Sequence, residues 1–164
     1  MLRLILRRLI AMVIDVALLF LVLWPAGLGV LLASGLRPQT GPQVYAVLLV
    51  NFSLPVWAYF MLSDASGSGR TVGKWLMGIR VSAIGWSSAL VRTAVKLAAW
   101  ELIHLGFFGL AQQPGEPGLA GWISAGAAYA LLLCSLGIVV WTGGSRSLHD
   151  LAAGSTVEGV TPVA

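Results

Sequence analysis

Four stretches of mostly apolar residues, each bounded by charges, Gly or Pro, divide the chain: about Leu9 to Leu32, Val44 to Leu62, Leu90 to Ala111 and Leu119 to Trp141. A helix rising about 1.5 Å per residue needs roughly 20 such residues to cross a bilayer core. The pattern therefore predicts an all-α membrane protein with four transmembrane helices. Gly35-Leu36-Arg37-Pro38 and the run from Gln112 to Gly118 read as tight surface turns. Ser63 to Ser88 differs, because Gly, Ser and basic residues interrupt every apolar run before it can span. It reads as a cytosolic loop with an interfacial element, in which Trp75, Leu76, Ile79 and Val81 lie on lipid while Lys74 and Arg80 meet headgroups. A short strand is the competing reading. Residues 142–164 follow as a cytosolic tail, and residues 1–160 make one transmembrane domain.

Composition agrees with this and excludes a soluble fold. Hydrophobic residues make up 58% and charged ones 10%, with a mean hydropathy of +0.90, where soluble domains carry about a quarter charged residues. The net charge of +4 is a matter of topology, not of nucleic acid. Basic residues near helix ends are retained on the cytoplasmic side. With the N-terminus inside, Arg3, Arg7, Arg8, Arg70, Lys74, Arg80, Arg92, Lys96 and Arg146 all fall there, and only Arg37 falls outside. This predicts an N-in, C-in, multi-pass membrane protein. Trp24, Trp57, Trp122 and Trp141 lie near helix ends, as interfacial aromatics do. Arg3, Arg7 and Arg8 ahead of an apolar run also suit a signal peptide. The run from Leu9 to about Ala33 is too long for one, and it carries Asp15.

The ionisable residues within the apolar runs carry whatever chemistry there is. Asp15 lies seven residues after Arg8, about 10 Å along a helix and on the same face, and a carboxylate in hydrocarbon costs roughly 2.5 to 3.5 kcal/mol unless a partner or water solvates it. Arg92, Lys96, Glu101 and His104 follow one another along the third run. Glu101 and His104, three residues apart, suit a hydrogen-bonded pair. They serve either as interhelical glue or, with Asp15, as a proton or cation relay. Glu101-Trp-Leu-His104 has the Glu-x-x-His form of di-iron bundles, but those need two copies and further carboxylates, so no metal or other cofactor is expected. With one cysteine, Cys134, there is no disulfide framework. Gly73-Lys74 lacks the rest of a phosphate-binding loop, and Asn51-Phe-Ser53 is a glycosylation sequon inside an apolar run. No nucleophile elbow or other enzyme signature appears, and the protein is not expected to be an enzyme.

Three patches resemble the RDD family of small bacterial membrane proteins. They are Arg8-x-x-Ala11-x-x-Ile14-Asp15; Thr71-x-Gly73-Lys74-x-x-x-Gly78-x-Arg80-Val81, with Arg92 following; and His149-Asp150-x-x-Ala153-Gly154-Ser155-x-Val157. The resemblance implies a bacterial inner-membrane location, with Arg8, Asp15 and Asp150 as signature residues. Ser155 stands where the family usually has Thr and keeps a hydroxyl. Transport is the activity usually suggested for family members.

Two functions follow as expectations. One is a small transporter or ion-coupling protein using Asp15 and Glu101. Four helices are few for an alternating-access path, so this reading carries a homo-oligomer. The other is a non-transporting scaffold or accessory subunit, whose ion pairs fix helix register and whose loop binds anionic lipid or a partner protein through Arg70, Lys74 and Arg80, each worth about 1 kcal/mol at an anionic surface.

Overall fold

The computed structural model describes residues 2–82, 84–111 and 116–160, which are mostly helical. Helix α1 spans Leu2–Ser34 and begins before the apolar run, so Arg3, Arg7 and Arg8 ride on its first turns. Thr40 caps α2 (Gly41–Leu48), and the Gln43 side chain accepts from the Thr40 N–H at 3.3 Å. A π-helical turn, Leu49–Ser53, joins α2 to α3 (Leu54–Ala65). The widened turn has a local cause. Pro55 has no N–H to donate, and its ring crowds the carbonyl four residues back, that of Asn51. Further along come α4 (Val72–Leu76), β1 (Ile79–Val81), α5 (Trp86–His104) with its own π-helical turn Leu105–Gly109, α6 (Leu119–Trp141), α7 (Leu148–Ala152) and β2 (Val157–Gly159). Part of the second predicted turn, 112–115, and the last residues of the tail, 161–164, lie outside the described residues.

Among the described residues three helices are long and apolar enough to cross a membrane: Leu2–Ser34, the continuous Gly41–Ala65 and Leu119–Trp141. Only 11% of the apolar window of the first and the last is buried, and Leu21, Trp24, Leu32, Leu133 and Trp141 are all exposed. Water does not tolerate so continuous an apolar surface, whereas lipid does. α5 is not among the three; it carries Arg92, Lys96 and Glu101.

The 63–88 segment departs from its expected role. It holds α4 and β1, and β1 pairs antiparallel with β2, Arg80 opposite Glu158 and Val81 opposite Val157, so a two-stranded ribbon joins the helices. Ile79 and Val81, expected on lipid, are 1% and 2% exposed and pack with Ala11 and Val157. The alternation of strand side chains explains this: Ile79 and Val81 face the core while Arg80 faces out. Gly78, at φ 60, makes the turn from α4 into β1 that a side chain would strain.

The chain forms two compact units. Unit 1 comprises 1–18, 57–96 and 133–164, and the ribbon core on Ala11 lies in it. Unit 2 comprises 19–56 and 97–132. There Gly41 abuts the backbone carbonyls of Phe108 and Ala111, and Gly106 abuts Gly121, small residues letting helices approach closely. The rings of Phe52 and Trp100 stack with centroids 5.4 Å apart, and Phe20 meets both edge-on.

Candidate functional site

A set of ion pairs built on Asp64, Asp150 and Glu158 lies in unit 1. Asp15, on α1, is 2% exposed and is held by neutral donors. Its carboxylate accepts from the Tyr59 hydroxyl at 2.7 Å, the Thr71 hydroxyl at 2.6 Å and the Gly73 N–H at 2.8 Å. Thr71 is also the N-cap of α4, accepting from the Lys74 N–H at 3.2 Å, and the Tyr59 hydroxyl accepts from the Val72 N–H at 3.0 Å. One carboxylate thereby anchors the start of α4 on α1. The approach requires glycine at 73, because a Cβ there would collide with the Ala11 carbonyl and crowd the Asp15 carboxyl. The sequence pattern Thr71-x-Gly73 thus has a mechanical reason: the hydroxyl and the bare N–H reach the same acid.

Beside it runs a chain of charges. Asp64, at the end of α3 and wholly buried, receives the Lys74 ammonium at 2.5 Å and the Arg92 guanidinium. Arg92 then donates through Nε and Nη2 to Asp150 Oδ1, at 2.9 and 2.7 Å. Arg8 donates to Asp150 Oδ2 at 2.6 Å and to the Gly144 carbonyl at 2.9 Å. The order Lys74, Asp64, Arg92, Asp150, Arg8 alternates in sign, with three cations on two carboxylates. Asp150 also opens α7, accepting from the N–H and hydroxyl of Ser147 at 2.9 and 2.6 Å, and the Ser155 hydroxyl donates to it at 3.2 Å. Lys96 takes a different partner, its Nζ lying 3.2 Å from the centroid of the Phe60 ring.

These surroundings decide protonation outside the apolar helices. Burial alone would raise the Asp150 carboxyl; Arg92 and Arg8, with the Ser147 hydrogen bond, outweigh it and hold the acid well below the usual carboxylate range. Burial and the like charge of Arg92 push the Lys74 ammonium down to about 8, against the pull of Asp64. Burial and Arg92 likewise push the His149 imidazole well below its usual range, and its Nε2 lies 2.9 Å from the Ser147 hydroxyl.

The residues singled out in the sequence separate into two groups. Arg8, Asp15, Thr71, Gly73, Lys74, Arg92 and Asp150 come together in unit 1. Lys74, expected at lipid headgroups, is instead buried, because Asp64 needs a counter-charge where no water reaches. Arg92 is likewise 1% exposed. Arg80 is exposed and pairs across the ribbon with Glu158 at 2.7 Å. Glu101 and His104 lie in unit 2, where His104 Nδ1 is 2.8 Å from the Trp100 carbonyl. Sequence reasoning missed Asp64, Tyr59 and Ser147. Asp64 has a readable signal, since it is an acid ending an apolar run in a chain with ten basic residues and only six acidic ones. Among the described residues no group of three or more His, Cys, Asp and Glu converges to hold a metal ion.

Lipid-facing apolar helices joined to a buried clasp of arginine and aspartate define a small helical membrane protein. The chain belongs to the RDD family, whose family model matches residues 2–154. No curated protein and no solved structure matches it.

Proposed function

We propose that this protein is a scaffold or accessory subunit of a bacterial inner membrane, with four spans, both termini inside, and the charged clasp as its rigid cytoplasmic part. α5 is the fourth span in this reading; the basic residues of unit 1 give the orientation by the positive-inside rule. One observation carries the proposal. All six oxygens of Asp15, Asp64 and Asp150 already accept from protein donors in a buried setting, which suits a fixed brace better than a site that must take up and release protons. The exposed Trp75 and Leu76, with the exposed Arg3 and Arg146, suit contact with anionic lipid or with a partner protein.

Transport is the second reading, favoured by the ionisable Glu101 and His104 within α5 and carrying a homo-oligomer with it. Proteoliposomes separate the two. The scaffold reading expects no sodium- or pH-driven flux, and expects Asp15→Asn to lower thermal stability. Flux that Asp15→Asn or Glu101→Gln abolishes while the protein stays assembled would establish transport instead. Reporter fusions at both termini, each expected to report cytoplasm, test the topology.

A further inference from the structure

Unit 1 carries nine basic residues and four acidic ones, an excess of five, whereas unit 2 carries one basic and two acidic. The clasp and the ribbon pair engage Arg8, Lys74, Arg92 and Arg80. Arg3, Arg7 and Arg146 stand outside both; Arg3 and Arg146 are exposed and Arg7 is half-buried. Arg3 and Arg7, four residues apart, share one face of α1, and the Arg7 guanidinium lies beside Gly159 at the end of β2. Arg146 stands at the other end of that strand, since the Val157 N–H donates to the Ser145 carbonyl at 2.8 Å. The surplus charge therefore gathers round β2.

An apolar face adjoins it. The Val160 N–H donates to the Gly78 carbonyl at 2.8 Å, and the Gly78 N–H donates to the Trp75 carbonyl at 3.2 Å, which brings the end of α4 to β2. On α4, Gly73 and Lys74 face inward to Asp15 and Asp64, while Val72, Trp75 and Leu76 are exposed. Their spacing of three and four puts them on one side of the helix. The height of this side is fixed by α1: the Gly73 N–H is bonded to Asp15 and its α-carbon is against the Ala11 carbonyl. α4 is thus level with the turns of α1 that expose Met12, Val13 and Val16. Arg7 lies four to eight residues nearer the N-terminus than Ala11 and Asp15, about 6 to 12 Å along the axis, and a headgroup layer is about 5 to 8 Å thick on each side of the hydrocarbon. Apolar face and cations are therefore spaced as acyl chains and phosphates are, which favours a bilayer over a partner protein.

We propose that unit 1 lies in the surface of an anionic phospholipid leaflet, with Val72, Trp75 and Leu76 of α4 among the upper acyl chains and Arg3, Arg7 and Arg146 on the phosphates. The proposal rests on the scaffold reading and gives that scaffold its partner.

Two measurements on the full chain, in nanodiscs of mixed phosphatidylcholine and phosphatidylglycerol, test it. In a Cys134→Ser background, a spin label on Leu76→Cys should relax faster with oxygen than with a water-soluble nickel chelate, as a site among acyl chains does. Greater access to nickel would overturn the proposal by placing α4 in water, and access to neither reagent would overturn it by showing that protein covers the face. Lipid choice is read by mass spectrometry of the protein released with its retained lipids. Phosphatidylglycerol is expected over phosphatidylcholine by at least about fivefold, the worth of one arginine near an anionic surface. The double change Arg3→Gln and Arg7→Gln should reduce that preference severalfold without moving the melting point, since neither residue belongs to the clasp. Equal retention of the two lipids by the unaltered protein, or a preference undiminished in the folded double variant, would overturn the proposal as well. Neither readout measures flux, so a failure here removes the lipid contact, while only flux removes the scaffold reading.

Discussion

Asp150 is where the clasp is most exposed to a single change. It is wholly buried and shared by Arg92 and Arg8, so Asp150→Asn leaves two guanidinium groups facing one neutral amide. Removing one partner of a buried ion pair costs about 3 to 5 kcal/mol, mostly as the uncompensated charge left behind, and a large drop in the thermal midpoint in detergent is expected. Arg80→Ala is the contrast. That pair is half-exposed, so the change should cost no more than about 1 kcal/mol. The pH dependence follows from the same acid. Its carboxyl is held below its ordinary value in the folded protein, so the unfolded chain binds the proton more readily. The stabilisation is therefore complete above about pH 4, the ordinary aspartate range, and is lost as pH falls below it. Melting followed from pH 6 to 3 in the wild type and in Asp150→Asn should show a steeper acid loss in the wild type. Parallel curves would place the acid sensitivity elsewhere.

At the level of elements, the long helices are legible in the sequence because lipid asks only for length and apolarity, both of which are local properties. The order in residues 63–88 is not legible, because its causes lie far along the chain. β1 has its partner at Val157–Gly159, and α4 is held by Asp15, 56 residues before Thr71. A sequence window sees a broken apolar pattern there and reads a loop. Asp64 could be flagged as a scarce acid ending an apolar run, but not its partners, Lys74 and Arg92. The family pattern does mark Arg8, Asp15 and Asp150 as positions, without saying which pairs with which. The α4 anchor can be tested at Gly73. In Gly73→Ala the new methyl meets the Ala11 carbonyl, and overpacking of this kind costs about 1 to 3 kcal/mol. Faster hydrogen exchange across Val72–Leu76 and earlier proteolytic cleavage in 63–88 are expected, with the spanning helices unchanged. Exchange rates equal to the wild type would mean that α4 is held by something other than its seat on α1.

For the whole molecule, unit 1 is assembled from three separated stretches of chain, and its last stretch brings Asp150 and β2. The tail therefore carries weight out of proportion to its apolar content. Ending the chain after Thr142 keeps every helix that is long enough to span, so insertion should proceed as before. Folding should not, since Arg8 and Arg92 then lose Asp150, and Ile79 and Val81 lose the cover of Val157. Membrane fractionation should find the shortened chain in the bilayer, while its melting point in detergent falls well below that of the full chain and its lifetime in cells shortens. The separation of the two readouts is what the argument requires, because insertion depends on apolar length whereas tertiary stability here depends on polar groups that reach each other across more than a hundred residues. A shortened chain as stable as the full one would show the clasp to be an accompaniment of the fold and not one of its causes.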